Sequence, residues 1–222
     1  MRYYKVLDKD GCAYHGGSGK YYLPTGNRPG KWMPKIRNIV ECERGYHVCQ
    51  RKHLIKWVGE TIWIAEGRGK KIVIKDKVVF EQVRLLSRLN RWNEKTARLF
   101  AADCAERVLL IYERKHPNND RPRKAIESSR LYALGKTTIN VLTAASDAAS
   151  AAAWAAASAA AWAAASAAAS DAARAAASDA ARAAASDAAS AAASDAARTA
   201  ASDAARKWQT ERLFKYLEGK YD

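Results

Sequence analysis

The sequence predicts an α+β protein: a small, basic, antiparallel β-rich N-terminal domain, a two-helix connector and a long Ala-rich helical C-terminal segment with a four-residue repeat. Three observations predict it. Residues 1–90 alternate short β-branched and aromatic runs with Gly- and Pro-rich turns. Residues 91–142 carry apolar side chains at three- and four-residue spacing. From Ala144 to Arg206 nearly every residue is Ala, and a non-Ala residue returns at every fourth position. The expected boundaries are therefore 1–90, 91–142, 143–206 and an amphipathic C-terminal helix over 207–222.

Tyr3-Tyr4-Lys5-Val6-Leu7 reads as a first strand that ends at the turn Asp8-Lys9-Asp10-Gly11. The stretch Gly16-Gly17-Ser18-Gly19-Lys20 faintly suggests a phosphate loop, but its spacing fits a hairpin turn better. Pro24, Pro29 and Pro34 keep the next segment out of helix and central strand. His53 to Val58 reads as a short helical stretch. Thr61–Ala65 and Lys71–Ile74 read as two strands joined by a turn at Gly67-Arg68-Gly69, with a third strand from Val78 to Leu86.

Asn93 is the expected N-cap of a helix over Glu94–Lys115, with Ala97, Phe100, Ala101, Cys104, Val108, Ile111 and Tyr112 on one face. Pro122 falls in the first turn of a second helix, and Gly135 follows its end. Ala is the best helix former, and no Gly or Pro lies between Gly135 and Gly219. Asp precedes Arg by three residues in four of the repeats, a spacing that supports a helix. A single helix over 143–206 would be about 96 Å long. A four-residue step overshoots a helical turn by about 40°, so the marker residues wind around the rod instead of forming a stripe. Such a tract packs on all sides, is overwound, or carries a period left by duplication. A four-sided solenoid is disfavoured because Ala is a poor strand former.

Of the 38 basic residues, 30 lie in residues 1–142, against 14 acidic ones. That excess suggests an acidic protein or nucleic acid as partner; a well-solvated basic surface is the plainer reading. Four cysteines in 222 residues make no disulfide framework, and the N-terminal residues lack the apolar run of a signal peptide. The Ala tract carries ten charges, too many for a membrane span. These features predict a cytoplasmic protein with no membrane partner.

Cys42, His47, Cys49 and His53 lie within twelve residues and are the candidate zinc ligands, although the spacing is not that of a usual finger. A buried Cys with a satisfied His explains them without a metal, and no cofactor is expected. Arg107, Arg121, Arg123 and Arg130 are candidate binding residues, with helix-surface ion pairing as the alternative. Trp32, Trp57, Trp63 and Trp92 offer either stacking surface or core. Trp154, Trp162, Arg174, Arg182, Arg198 and Arg206 are the candidate assembly residues of the repeat.

The segment Thr96 to Leu109, TARLFAADCAERVL, followed by Asp120 to Glu127, DRPRKAIE, resembles the helical domain of Imm5-like immunity proteins of bacteria and phages. The front, with Cys42 to Cys49 (CERGYHVC) and Asp76-Lys77-Val78-Val79, is similar to a domain of unknown function common in phage proteins. The first resemblance implies neutralisation of a toxin by binding. The reading that follows is a non-enzymatic phage or bacterial interaction protein whose Ala-rich repeat packs or self-assembles into an oligomer or filament. The alternatives are an immunity or anti-defence binder that sequesters a toxin, nucleotide or nucleic acid through its basic domain, and a metal- or Cys-dependent enzyme.

Overall fold

The computed structural model describes residues 2–14, 17–141, 143–145, 147, 148 and 203–220. The repeat markers Trp154, Trp162, Arg174, Arg182 and Arg198 lie outside them, as does the helical reading of most of the Ala tract. The chain divides into two compact units, Met1–Phe100 with Arg206–Asp222, and Ala101–Ala205.

The first unit is built on strands β1 (Tyr3–Leu7), β2 (Tyr46–Val48), β3 (Thr61–Val73) and β4 (Val78–Arg88), an antiparallel sheet in the order β1-β3-β4-β2. The fold class is thus α+β with an N-terminal β domain, as the alternating runs predict. The sheet curls until its edges meet. The N–H of Tyr4 donates to the Cys49 carbonyl, and that of Cys49 donates back to Tyr4, each at 2.9 Å. Closure removes the exposed edges that a four-stranded sheet would otherwise offer. The Pro-rich segment covers the remaining edge of β4. Gly30, Met33 and Ile36 donate their N–H groups to the carbonyls of Leu85, Val83 and Glu81.

The expected turn at Gly67-Arg68-Gly69 is not a turn. One bent strand, β3, runs through it, and its pairing with β4 shifts register between Arg68 and Lys71. Gly69, at φ +83°, absorbs the extra residue as a bulge, which bends a strand without reversing it. The reversal comes at Ile74–Lys77, closed by the Ile74 N–H on the Lys77 carbonyl. The stretch from His53 is a 3-10 turn, Arg51–Lys56, anchored by the fully buried Leu54.

Inside the curl, Tyr3, Leu7, Tyr21, Met33, Val48, Trp63, Val78, Phe80, Val83 and Leu85 form the core. On the outside, the C-terminal helix (203–218) buries Leu213, Phe214, Tyr216 and Leu217. Phe214 meets the edge of Tyr4 at 5.4 Å between centroids, and Tyr216 meets Phe100 at 6.2 Å. Each such side chain contributes about 1.5–3 kcal/mol by leaving water. The helix ends where Gly219, at φ +75°, lets the Lys220 N–H reach back to the Lys215 carbonyl.

Helix α1 (Glu94–Lys115) starts as predicted: Asn93 Oδ1 accepts from the Thr96 N–H at 3.1 Å, and Thr96 Oγ1 accepts from the Asn93 N–H at 3.0 Å. Its buried side chains are Thr96, Phe100, Ala102 and Leu109, whereas Ala101 is exposed. Of the predicted face, Phe100 is buried and Ala97 and Cys104 are half-buried; the side chains of Val108, Ile111 and Tyr112 lie outside the described set. In the second unit, α2 (Arg121–Ala133) joins α1 through Ala102, Leu109 and Ile126. It closes at Gly135, with Lys136 N–H on the Leu131 carbonyl and Gly135 N–H on the Tyr132 carbonyl. No helix among the described residues is long and apolar enough to cross a membrane.

Candidate functional site

Alternation along β1 sends Tyr3, Lys5 and Leu7 to the inside of the curled sheet. Two of these are core residues; the third is a lysine. Its Nζ donates to the His47 carbonyl at 3.0 Å and lies 4.9 Å from the centroid of the Tyr21 ring. Tyr21 is delivered by a hairpin-like loop, held by the Ala13 N–H on the Gly19 carbonyl and the Tyr21 N–H on the Gly11 carbonyl. Asp8 shapes the start of that loop, its Oδ1 accepting from the N–H groups of Asp10 and Cys12. Residues 17–20 are thus part of a hairpin return and open no helix, while Gly16 lies outside the described residues.

Between this loop and β2 lies a cavity of about 520 Å³. Its walls include Lys5, Tyr21, Arg44, Tyr46, His47 and Lys77. Tyr46 stands edge-on to Tyr21 at 6.0 Å and donates its hydroxyl to the Pro34 carbonyl at 2.9 Å. Burial lowers the Lys5 ammonium to about 8, opposed by the nearby Cys49 thiol. Burial pushes the Cys49 thiol up to about 12 against the pull of Lys5. Burial, then the charges of Lys5 and Lys77, hold His47 below its ordinary value. Burial also raises the Tyr21 and Tyr46 hydroxyls. A thiol held protonated is a poor nucleophile. The chemistry that this arrangement favours is attraction of negative charge.

Three of the four candidate metal ligands, Cys42, His47 and Cys49, border the same cavity. Cys42 is exposed in a turn at φ +62°, and Cys49 is buried with its thiol directed to the Tyr4 carbonyl at 3.6 Å. His53 lies on the 3-10 turn, and both His53 Nδ1 and His47 Nε2 are buried without a hydrogen-bond partner. Among the described residues, no three His, Cys, Asp or Glu side chains are grouped so as to hold a metal ion.

Of the arginine set, Arg130 bridges from α2 to Asp103 at 2.9 Å and Glu106 at 2.7 Å on α1, and Arg123 pairs with Glu113 at 2.7 Å. The hydrogen bond from Arg130 keeps the Glu106 carboxyl below its ordinary range. These two arginines fasten a helical hairpin. Arg107 is exposed but engaged, and Arg121 is exposed at the start of α2. Arg206 is exposed but engaged at the C-terminal helix.

The tryptophans divide in two. Trp63 and Trp92 are buried, their indole N–H groups given to Thr61 Oγ1 and the Gly59 carbonyl. Trp32 lies under Arg68 and Arg84, at 4.2 and 4.8 Å, and Trp57 lies under Lys77 at 5.0 Å. Lys5, Tyr21 and Tyr46 were not singled out from the sequence. The signal for Lys5 was there: strict alternation puts it between two inward residues.

A family model described as "Imm-5 like putative immunity protein" matches residues 87–216, more than half of the chain. No curated protein and no solved structure matches it. The match runs from the end of β4 through both helices to the C-terminal helix. The chain belongs to the Imm-5-like immunity protein family.

Proposed function

We propose that this chain acts by binding and not by catalysis, as an immunity-type protein of a phage or bacterium whose basic unit holds an acidic protein partner and so neutralises it. The supporting observation is where the charge lies. The first unit carries 27 basic and 12 acidic residues, which is the whole net charge of +15; the second carries eleven of each. The excess is most concentrated at the β3–β4 tip, where Arg68, Lys70, Lys71 and Lys75 are all exposed. A field of that kind steers an acidic partner and speeds its association.

The test is capture of the partner on the immobilised full chain, then reconstitution from purified components across a salt series. Affinity should fall steeply with salt and fall further in a Lys70→Gln/Lys71→Gln/Lys75→Gln variant. Affinity indifferent to both salt and the variant overturns the proposal. A single-stranded DNA probe run alongside reports on nucleic acid as the alternative partner.

A second reading, self-association through the second unit, is favoured by the exposure of Leu131, Leu134, Ile139 and Val141. Light scattering over a hundredfold concentration range, on the order of 1–100 µM, tests it; a constant monomer mass removes it.

A further inference from the structure

The cavity between the first loop and β2 is bordered by half-buried Lys5, whose ammonium has no carboxylate partner among the described residues. Lys5 spends one N–H on the His47 carbonyl and rests on the Tyr21 ring. Buried charges in proteins are almost always paired, because leaving water is otherwise costly. Lys5 also has company of its own sign. Arg44 and Lys77 line the same cavity, against one acidic residue, Glu43. Four aromatic side chains, Tyr14, Tyr21, Tyr46 and Trp57, also line it. Aromatic faces stack planar rings, and clustered cations hold phosphate. A volume of about 520 Å³ falls in the range of small-molecule sites.

We propose that this cavity binds a small planar anion: a flat ring carrying a phosphate, of nucleoside monophosphate size, with Lys5 and Lys77 on the phosphate and the tyrosines and Trp57 about the ring. Binding here uses Lys5 and Lys77, whereas partner binding uses Lys70, Lys71 and Lys75 around the same β3–β4 turn, so the two are read by different variants.

Isothermal titration of the full-length protein tests it with four probes: adenosine 5′-monophosphate, phenyl phosphate, adenosine and inorganic phosphate. The two phosphate-bearing rings should bind saturably at one site, and adenosine and inorganic phosphate at least about tenfold more weakly. A preference for adenosine 5′-monophosphate over phenyl phosphate assigns the site to nucleotides; equal affinity assigns it to aryl phosphates in general. Lys5→Met keeps the length of the side chain, and Lys77→Ala alters a half-buried position at the cavity wall. Each should weaken adenosine 5′-monophosphate about tenfold while the Lys70→Gln/Lys71→Gln/Lys75→Gln protein binds it as the wild type does. No binding of any probe at millimolar concentration overturns the proposal. So does inorganic phosphate binding as well as the ring phosphates, or unchanged affinity in Lys77→Ala, which decides the matter even if Lys5→Met does not fold.

Discussion

A half-buried ammonium group is stable only if something shares its charge, and Lys5 shares its charge with a carbonyl and a ring. Its pKa is lowered from 10.5 to about 8. The sign follows from proton counting. Between about pH 8 and 10.5 the unfolded chain holds a proton at this position that the folded chain has lost, so Lys5 makes stability rise with pH through that window. The groups facing it pull the other way: the raised Cys49 thiol and Tyr21 and Tyr46 hydroxyls lower stability as pH climbs above their ordinary values. A comparison with Lys5→Met separates the two effects. Denaturant unfolding of both proteins from pH 7 to 10.5 should show the difference moving in favour of the wild type by about 3 kcal/mol. A difference that stays flat means that Lys5 is not desolvated as described. This position was readable from the alternation of β1, but its partners were not. Tyr21 reaches it by the return of the loop after β1 and His47 only because the sheet closes on itself, and nothing local in the sequence announces closure.

At the scale of elements, local signals read well wherever they were chemically unambiguous. Asn93 and Thr96 set the start of α1, and Pro122 and Gly135 set the two ends of α2, as expected. Gly-Arg-Gly within β3 misled, because a glycine pair marks a bulge as readily as a turn, and only the partner strand decides between them. The arginines of α2 illustrate the same dependence on context. Their role as fasteners rests on acidic residues about 10 to 27 positions away, which a helical hairpin brings into reach. Arg130 faces two carboxylates, and its Asp103 partner is only 11% exposed; Arg123 faces one at a more open position. Arg130→Ala should therefore destabilise the hairpin by about 1–3 kcal/mol and Arg123→Ala by less than about 1 kcal/mol. Hydrogen exchange of the α2 amides measures both. Equal effects would mean that the pairing is not what joins the helices.

For the whole molecule, the uneven charge was legible at once, since it needs only counting. The return of the chain was not. An amphipathic pattern in residues 207–217 says that the C-terminal helix buries a face, but not against what. The answer is the curled sheet: Phe214 on Tyr4, Arg51 lying 3.5 Å over the Phe214 ring, and Arg51 and Arg91 both on Glu218. The helix is therefore part of the first unit, and the intervening residues are an insertion into it. Replacing 101–205 by a short Gly/Ser linker should leave a unit that melts cooperatively, whereas ending the chain at residue 205 should lower its melting temperature by 10 °C or more, on the order expected for losing four buried side chains. Calorimetry of the two proteins distinguishes these outcomes; a linker protein that fails to fold would show that the unit needs its insertion.

The rings of Phe100 and Tyr216 stand 6.2 Å apart, so the residue at which the chain leaves the sheet domain packs on the helix that returns to it. That closeness has a genetic consequence. Tandem four-residue units are encoded by tandem twelve-base units, which replication gains and loses by slippage. Because all four strands precede the insertion and the returning helix is anchored by its own buried side chains, a change in the number of units shifts no strand register and leaves the receiving core its residues. Repeat number is then a trait that drifts, or is selected, without touching the fold that carries it. Within a lineage it should vary far more than Phe100, Tyr216 or the strands beneath them.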